Sequence, residues 1–175
     1  MFKRLNRWLD LFEKTVITTG LAAATLLLFT NVVLRYLFDT GLTWALEAVQ
    51  YLFAWVVLVG AAHGVKSGIH LGIDVLVEKF SRRTQRVIAL LALVICLLFV
   101  GTVFYLSLQY IIRIYQWGDL TLDLQIPQWI PYLAIPVGLG LMFLHFLQVG
   151  RKIWTGETVS IHAREAPQAL EELQR

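Results

Sequence analysis

The chain has 175 residues, of which 58% are hydrophobic, and its mean hydropathy of +0.67 lies far above that of a soluble domain. Its net charge of +3 does not indicate nucleic-acid binding, because the basic residues lie beside long apolar stretches and form no basic patch. We therefore expect one integral membrane domain over residues 1–175, with almost no soluble body.

Four uncharged stretches follow one another along the chain, and each approaches the length of a membrane-spanning helix. A helix rises about 1.5 Å per residue, so about 20 apolar residues cross about 30 Å of hydrocarbon. The stretches lack the alternation of barrel strands, which leaves the helix as the structure that satisfies the backbone in lipid. The sequence predicts an all-α integral membrane protein with four transmembrane helices, at about residues 15–37, 43–65, 87–112 and 129–150.

The basic residues are distributed unevenly between the two sides of these predicted spans. Of the 15 Lys and Arg residues, all but Arg35 and Arg113 precede the first span, follow the fourth, or lie between the second and third. Positive residues are retained on the cytoplasmic side of a membrane. We therefore expect a multi-pass protein whose N-terminus, C-terminus and central loop are cytoplasmic.

The segment 1–14, ahead of the first span, has apolar residues at helical spacing. Phe2, Leu5, Leu9 and Phe12 share one face, and charged residues fill the other. This pattern is typical of an amphipathic helix in the cytoplasmic interface of the membrane. A solvated helical extension of the first span is the alternative.

The loop between the first two spans is bracketed by opposite charges. Arg35 at the exit of one helix and Glu47 at the entry of the next would fix how the helices meet if they formed an ion pair. Two separately solvated charges are the alternative. Trp44 marks the membrane–water interface at this turn.

The second span carries a small-residue pattern and a histidine. Gly60 and Gly64 form a small-xxx-small face that would let another helix backbone approach closely. His63 here and His145 in the fourth span lie at similar predicted depth, so they could ligate haem as in membrane cytochromes. Each could equally bond a neighbouring helix. The sequence contains no catalytic motif, and we expect no enzymatic activity, cofactor or metal.

The last two spans are joined to polar or proline-rich segments. In the central loop, Ile73, Leu76, Val77 and Phe80 follow the i, i+3, i+4, i+7 pattern, which predicts a surface helix over residues 69–80. The fourth span opens with prolines that predict an extended lead, a helix start and a bend, in the order Pro127, Pro131 and Pro136. Residues 155–175 form a polar tail.

Seven short motifs carry a resemblance to a known family. They are NVVLRYLF at residues 31–38, WALE at 44–47, YLFAW at 51–55, GAA at 60–62, GIHLGID at 68–74, PQWIPY at 127–132 and IPVG at 135–138. In their order and spacing the chain resembles, over nearly its whole length, the small membrane subunit (DctQ type) of tripartite ATP-independent periplasmic (TRAP) transporters. Leu46 and Gln50 depart from the usual pattern, in which a second acidic residue and an arginine are frequent, and this puts a shared ion-pair network at that turn in question.

The resemblance implies a role that the residues alone do not show. Such subunits bind a larger multi-span membrane subunit that carries the substrate and sodium sites. A soluble periplasmic protein delivers an organic acid such as a C4-dicarboxylate. This chain would then be an accessory scaffold in the bacterial inner membrane, in contact with lipid.

The residues that we expect at the subunit or lipid interface are Trp44, Gly60, Gly64, His70, Asp74, Pro131 and Pro136. A haem-binding electron-transfer anchor and an independent small oligomeric transporter remain the alternatives. The transported solute is not readable from this chain, because the residues that select it should lie in other subunits.

Overall fold

The computed structural model describes residues 2–66 and 82–155, and these segments are almost entirely helical. Five helices follow in chain order, α1 Phe2–Leu37, α2 Ala45–Lys66, α3 Arg82–Trp117, α4 Trp129–Tyr132 and α5 Ala134–Thr155. Four helical segments are long and apolar enough to cross a membrane, namely Asn6–Leu37, Ala45–Lys66, Thr84–Trp117 and Trp129–Arg151. The predicted all-α membrane fold with four long apolar helices is confirmed. The predicted surface helix at 69–80, with His70 and Asp74, and the tail beyond Thr155 lie outside the described residues.

Successive spans alternate in direction, which defines two ends of the molecule. The terminal side holds residues 2–14, the end of α2 at Lys66 and the start of α3 at Arg82. The loop side holds the connections 38–44 and 118–128.

Helix α1 is continuous from Phe2 to Leu37, so the segment 1–14 is not a separate interfacial helix within the described residues. Its 36 residues extend over roughly 54 Å at 1.5 Å per residue, well beyond about 30 Å of hydrocarbon. The helix therefore projects from the membrane or tilts within it. The location of residues 1–14 in the cytoplasmic interface stays a prediction.

The long helices form an open row in the order α1, α2, α5, α3. Helix α2 packs against both α1 and α5, and α5 packs in turn against α3. The difference in burial follows from this order, because 39% of the α4–α5 span is buried but only 6% of the α1 span. Helices α1 and α3 are therefore the edges of the row, and most of their surface faces outward.

Glycines allow the neighbouring helices of the row to approach closely. A Cβ atom on Gly138 of α5 would lie 2.6 Å from the Cβ of Leu58 on α2, a distance that real atoms do not adopt. Gly20 against Val56 and Gly150 against Leu93 are similarly tight at the other two contacts of the row. Close backbone approach is the usual basis of helix association in lipid, where no hydrophobic force drives helices together.

The helix is interrupted at Leu133, between α4 and α5. Pro136 lacks the N–H that would bond to the carbonyl of Tyr132, and its ring would clash with that carbonyl. The interruption therefore places Pro136 in the first turn of α5 and Pro131 in the short helix α4.

Candidate functional site

Glu13 is the centre of a polar cluster on the terminal side, which we call the Glu13 cluster. Its side chain is fully buried, with a relative exposure of 0%. One carboxylate oxygen, Oε2, lies 2.9 Å from Nδ1 of His63, and the other, Oε1, lies 2.6 Å from Nε2 of His145. A single carboxylate thus joins α1 to both α2 and α5.

The hydrogen positions in this cluster follow from donor and acceptor chemistry. An ionised carboxylate only accepts, so Nδ1 of His63 and Nε2 of His145 both donate. The remaining nitrogen of His145, Nδ1, is buried without a hydrogen-bond partner among the described residues. The neutral tautomer with its hydrogen on Nε2 avoids a buried N–H that has no acceptor.

Two further contacts extend the Glu13 cluster along the same three helices. Asp10 pairs with Lys66 of α2, and Asn6 accepts a 3.1 Å hydrogen bond from Gln148 of α5. On α1 the three participating residues are spaced i, i+4 and i+7, which places them on one helical face. The sequence prediction missed this network, because the apolar periodicity of residues 2–12 dominated its interpretation and the partners are distant in sequence.

The Glu13 cluster suits neither a metal ion nor a haem. Ligand atoms of Asp10, Glu13 and His63 all lie within 4.8 Å of one another, close enough to share a cation. However, Asp10 already pairs with Lys66, so a cation would have to displace an ammonium group. Haem ligation is not favoured either, because the imidazoles of His63 and His145 both point at one carboxylate and leave no plane for a porphyrin between them.

On the loop side, Glu47 at the start of α2 holds the connection between α3 and α4. Its carboxylate accepts backbone N–H bonds from Leu122, Asp123 and Leu124 at 2.8 to 3.0 Å. It also accepts a 3.0 Å bond from the hydroxyl of Tyr51. Successive backbone N–H groups that converge on one anion form a nest, so Glu47 fixes this loop to α2.

Three neighbouring tyrosines with tilted rings continue this attachment across the loop side. The ring of Tyr51 lies 6.3 Å from that of Tyr132 in α4, and Tyr132 lies 5.9 Å from Tyr110 in α3. The first loop is held separately, because the side chain of Asn31 accepts a 2.8 Å bond from the N–H of Leu42. Helices α2, α3 and α4 are therefore tied to the second loop at this end, and the first loop is tied to α1.

The structure brings together only some of the residues that the sequence singled out. His63 and His145 both bond to the carboxylate of Glu13, which was not predicted. Arg35 and Glu47 form no ion pair within the described chain, because the Glu47 carboxylate is directed into the loop at 122–124. Trp44, in the first connection, is 38% exposed, and its contact with the membrane interface stays a prediction.

The remaining predicted interface residues divide between the inside and the outside of the row. Pro131 and Pro136 are buried within the chain and shape the start of the fourth span. Gly60 is different, because a Cβ atom there would meet nothing within 4 Å. The packing of the chain itself therefore does not require a glycine at this position.

We predict that Glu13→Ala lowers the thermal stability of the purified full-length chain in detergent. The substitution leaves two imidazole N–H groups without their acceptor, at about 1–3 kcal/mol each. Glu13→Gln keeps one acceptor oxygen and should have a smaller effect. Unfolding followed by tryptophan fluorescence measures both, with Lys14→Ala on the neighbouring exposed residue as the matched control. Equal midpoints for Glu13→Ala and Lys14→Ala would contradict a structural role for the cluster.

We predict that Glu47→Ala loosens the loop at residues 118–128 and leaves the helices in place. Amide hydrogen exchange at Leu122, Asp123 and Leu124 should accelerate about tenfold or more, because each N–H loses a charge-assisted acceptor. Asp123→Asn is the matched control, since its carboxyl side chain is exposed in the same loop. If exchange of these three amides is unchanged in Glu47→Ala, the carboxylate does not hold the loop.

Comparisons with known proteins agree with the fold and with the earlier resemblance. Residues 24–156 match the family model of the DctQ component of tripartite ATP-independent periplasmic transporters. A C4-dicarboxylate TRAP transporter small permease protein of Vibrio cholerae is 35% identical over 98% of this chain and 84% of its own length. One of the same name from Rhodobacter capsulatus is 40% identical over 75% of this chain, which spans 56% of that relative.

A third relative differs in its architecture. The isethionate TRAP transporter permease protein DctMQ of Oleidesulfovibrio alaskensis is 26% identical over 81% of this chain but only 23% of its own length. The similarity is therefore confined to a small part of a much larger permease. Together with four apolar helices of spanning length, the family match over residues 24–156 shows that the chain belongs to the DctQ family of small TRAP transporter permease subunits.

Proposed function

We propose that the chain is the scaffold subunit of a sodium-coupled importer of organic acids, with a C4-dicarboxylate as the substrate class. The names of the Vibrio and Rhodobacter relatives support this class. Its partners would be a large multi-span membrane subunit, which carries the substrate and sodium sites, and a periplasmic protein that delivers the solute. The DctMQ relative supports the first partnership, since a DctQ-like segment there occupies a fraction of one longer chain.

The scaffold role is supported by the two buried carboxylates, which bond to groups of the chain itself. Within the described residues, the buried carboxylates Glu13 and Glu47 both have internal hydrogen-bond donors, from histidines in one case and from Tyr51 and the loop backbone in the other. An anion that crosses lipid needs compensating charge or oriented dipoles along its route. These spans offer no such route in the described chain, so the solute path belongs to the partner subunit.

The outward stripe of α2 is the proposed contact with the large subunit. Its exposed residues Leu46, Gln50, Phe53 and Val57 are spaced i, i+4, i+7 and i+11, and Gly60 continues the same stripe. Gly60 has open space above it, whereas Gly138 is required by the chain's own packing. A glycine on an exposed stripe supports close approach by a helix from another chain.

The experiment on this proposal compares Gly60→Leu with Gly138→Leu in the co-expressed transporter. Gly60→Leu should leave the stability of the isolated chain unchanged but lower the amount of complex that co-purifies with the large subunit. Gly138→Leu is the contrasting control, because it forces α2 and α5 apart and should destabilise the chain itself by about 1–3 kcal/mol or more.

Uptake by the complete system in liposomes completes this test. Sodium-dependent uptake of a labelled C4-dicarboxylate should fall in proportion to the complex, with little change in apparent substrate affinity. A substitution here that leaves the complex intact but changes the solute carried would overturn the scaffold role.

We also propose that the terminal side is cytoplasmic, because all but two of the basic residues belong to that side or to its flanking segments. Single cysteines at Thr40 and Leu120 should then react with an impermeant thiol reagent applied from the periplasm. A cysteine at Thr84, at the start of α3, should not react from that side. Labelling of Thr84 from the periplasm would reverse the orientation.

A further inference from the structure

Helix α3 carries an open groove of mixed polar and apolar lining on its exposed surface, close to the loop side. The groove encloses about 350 Å³ and is lined by Tyr105, Leu106, Gln109, Tyr110 and Arg113. Arg113 is one of only two basic residues in the connections and helix ends of the loop side. The positive-inside excess on the terminal side therefore does not account for Arg113.

Contacts within the chain hold the side chains of the groove in place. The amide of Gln109 donates a 2.8 Å hydrogen bond to the hydroxyl of Tyr105. The ring of Tyr110 lies 5.9 Å from that of Tyr132, which in turn lies 6.3 Å from the ring of Tyr51, the residue bonded to Glu47. Arg113 itself is exposed and forms no ion pair with a described carboxylate. The groove thus presents one uncompensated guanidinium beside ordered hydroxyl and amide groups.

The depth of the groove follows from the length of α3. The uncharged stretch 87–112 extends over about 39 Å at 1.5 Å per residue, somewhat more than a hydrocarbon core of about 30 Å, and Arg113 follows it directly. The end of α3 from Arg113 to Trp117 is then expected at the level of the lipid headgroups, where tyrosine and tryptophan are enriched. Arg113 therefore lies where lipid phosphates lie.

An exposed apolar surface continues from the groove toward the membrane centre. Leu106, Phe99, Leu98 and Ile95 are each more than half exposed and lie within about three turns of α3, on the side toward the membrane centre. A cation at headgroup depth, followed by an apolar surface, matches the two parts of one phospholipid. A soluble anion has no apolar part that could contact this surface.

We propose that this groove binds a phospholipid of the leaflet on the loop side, with its phosphate at Arg113 and an acyl chain along the surface below. The guanidinium fork suits a phosphate, because it donates two parallel hydrogen bonds. The hydroxyl of Tyr105 and the amide of Gln109 lie on the same groove and would bond the remaining headgroup oxygens. The bound lipid would be a fixed part of the outer surface of α3.

The test titrates the purified full-length chain in detergent with phosphatidylglycerol and measures the lipid-bound fraction by native mass spectrometry. Arg113→Gln should weaken binding about tenfold, the worth of one charge-assisted hydrogen bond. Arg113→Lys should be intermediate, since it keeps the charge but loses the fork. Arg35→Gln is the matched control, because Arg35 is exposed at the same end of the molecule but lies outside the groove.

Three results would each overturn the proposal. An equal loss of binding in Arg35→Gln would show an effect of charge at this end and no specific site. Competition by glycerol phosphate at the concentrations at which the lipid binds would show a site for soluble anions. Binding of diacylglycerol as tight as that of phosphatidylglycerol would show that the apolar surface acts without Arg113.

Discussion

The two hydrogen bonds that the Glu13 carboxylate accepts from His63 and His145 are the buried polar attachment of α1 to the rest of the described chain. Only 6% of the α1 span is buried within the chain, and its packing is confined to the face that meets α2 near Gly20 and Val56. Apolar contacts between helices are weak determinants in a membrane, since lipid is as apolar as leucine. A buried carboxylate has the opposite property, because any arrangement that removes its donors leaves an uncompensated charge. Glu13 therefore selects one register of α1 against α2 and α5.

Glu47 provides a comparable constraint at the opposite end of α2. It binds a loop that is 75 to 77 residues away in sequence, so it couples the α1–α2 half of the chain to the α3–α5 half. Helix α2 is thus tied at its loop-side end by one carboxylate and at its terminal-side end by another. An open row of helices lacks the enclosing contacts of a bundle, and these two attachments replace them.

The sequence predicts the parts of this structure that depend on local composition. The four spans follow from apolar length, and the interruption at Leu133 lies just before the predicted bend at Pro136. The polar contacts were not predictable in the same way. Glu47 has a nearby cation in Arg35, but its actual donors are backbone N–H groups, which leave no mark on a sequence. Glu13 was not singled out from the sequence, because its partners lie 50 and 132 residues further along the chain.

In the proposed complex, the buried charges of this chain stabilise its fold, and the charges that guide the solute belong to the large subunit. A subunit that carries a substrate path must leave polar groups available to a moving anion, and such groups destabilise the apolar surroundings unless they are paired. Here the buried carboxylates of the described residues hold the helices of the chain itself in place. The outward surfaces of α1, α2 and α3 remain largely apolar and available to lipid or to another helix. A chain built in this way can widen a transporter and hold its position in the membrane without taking part in substrate selection.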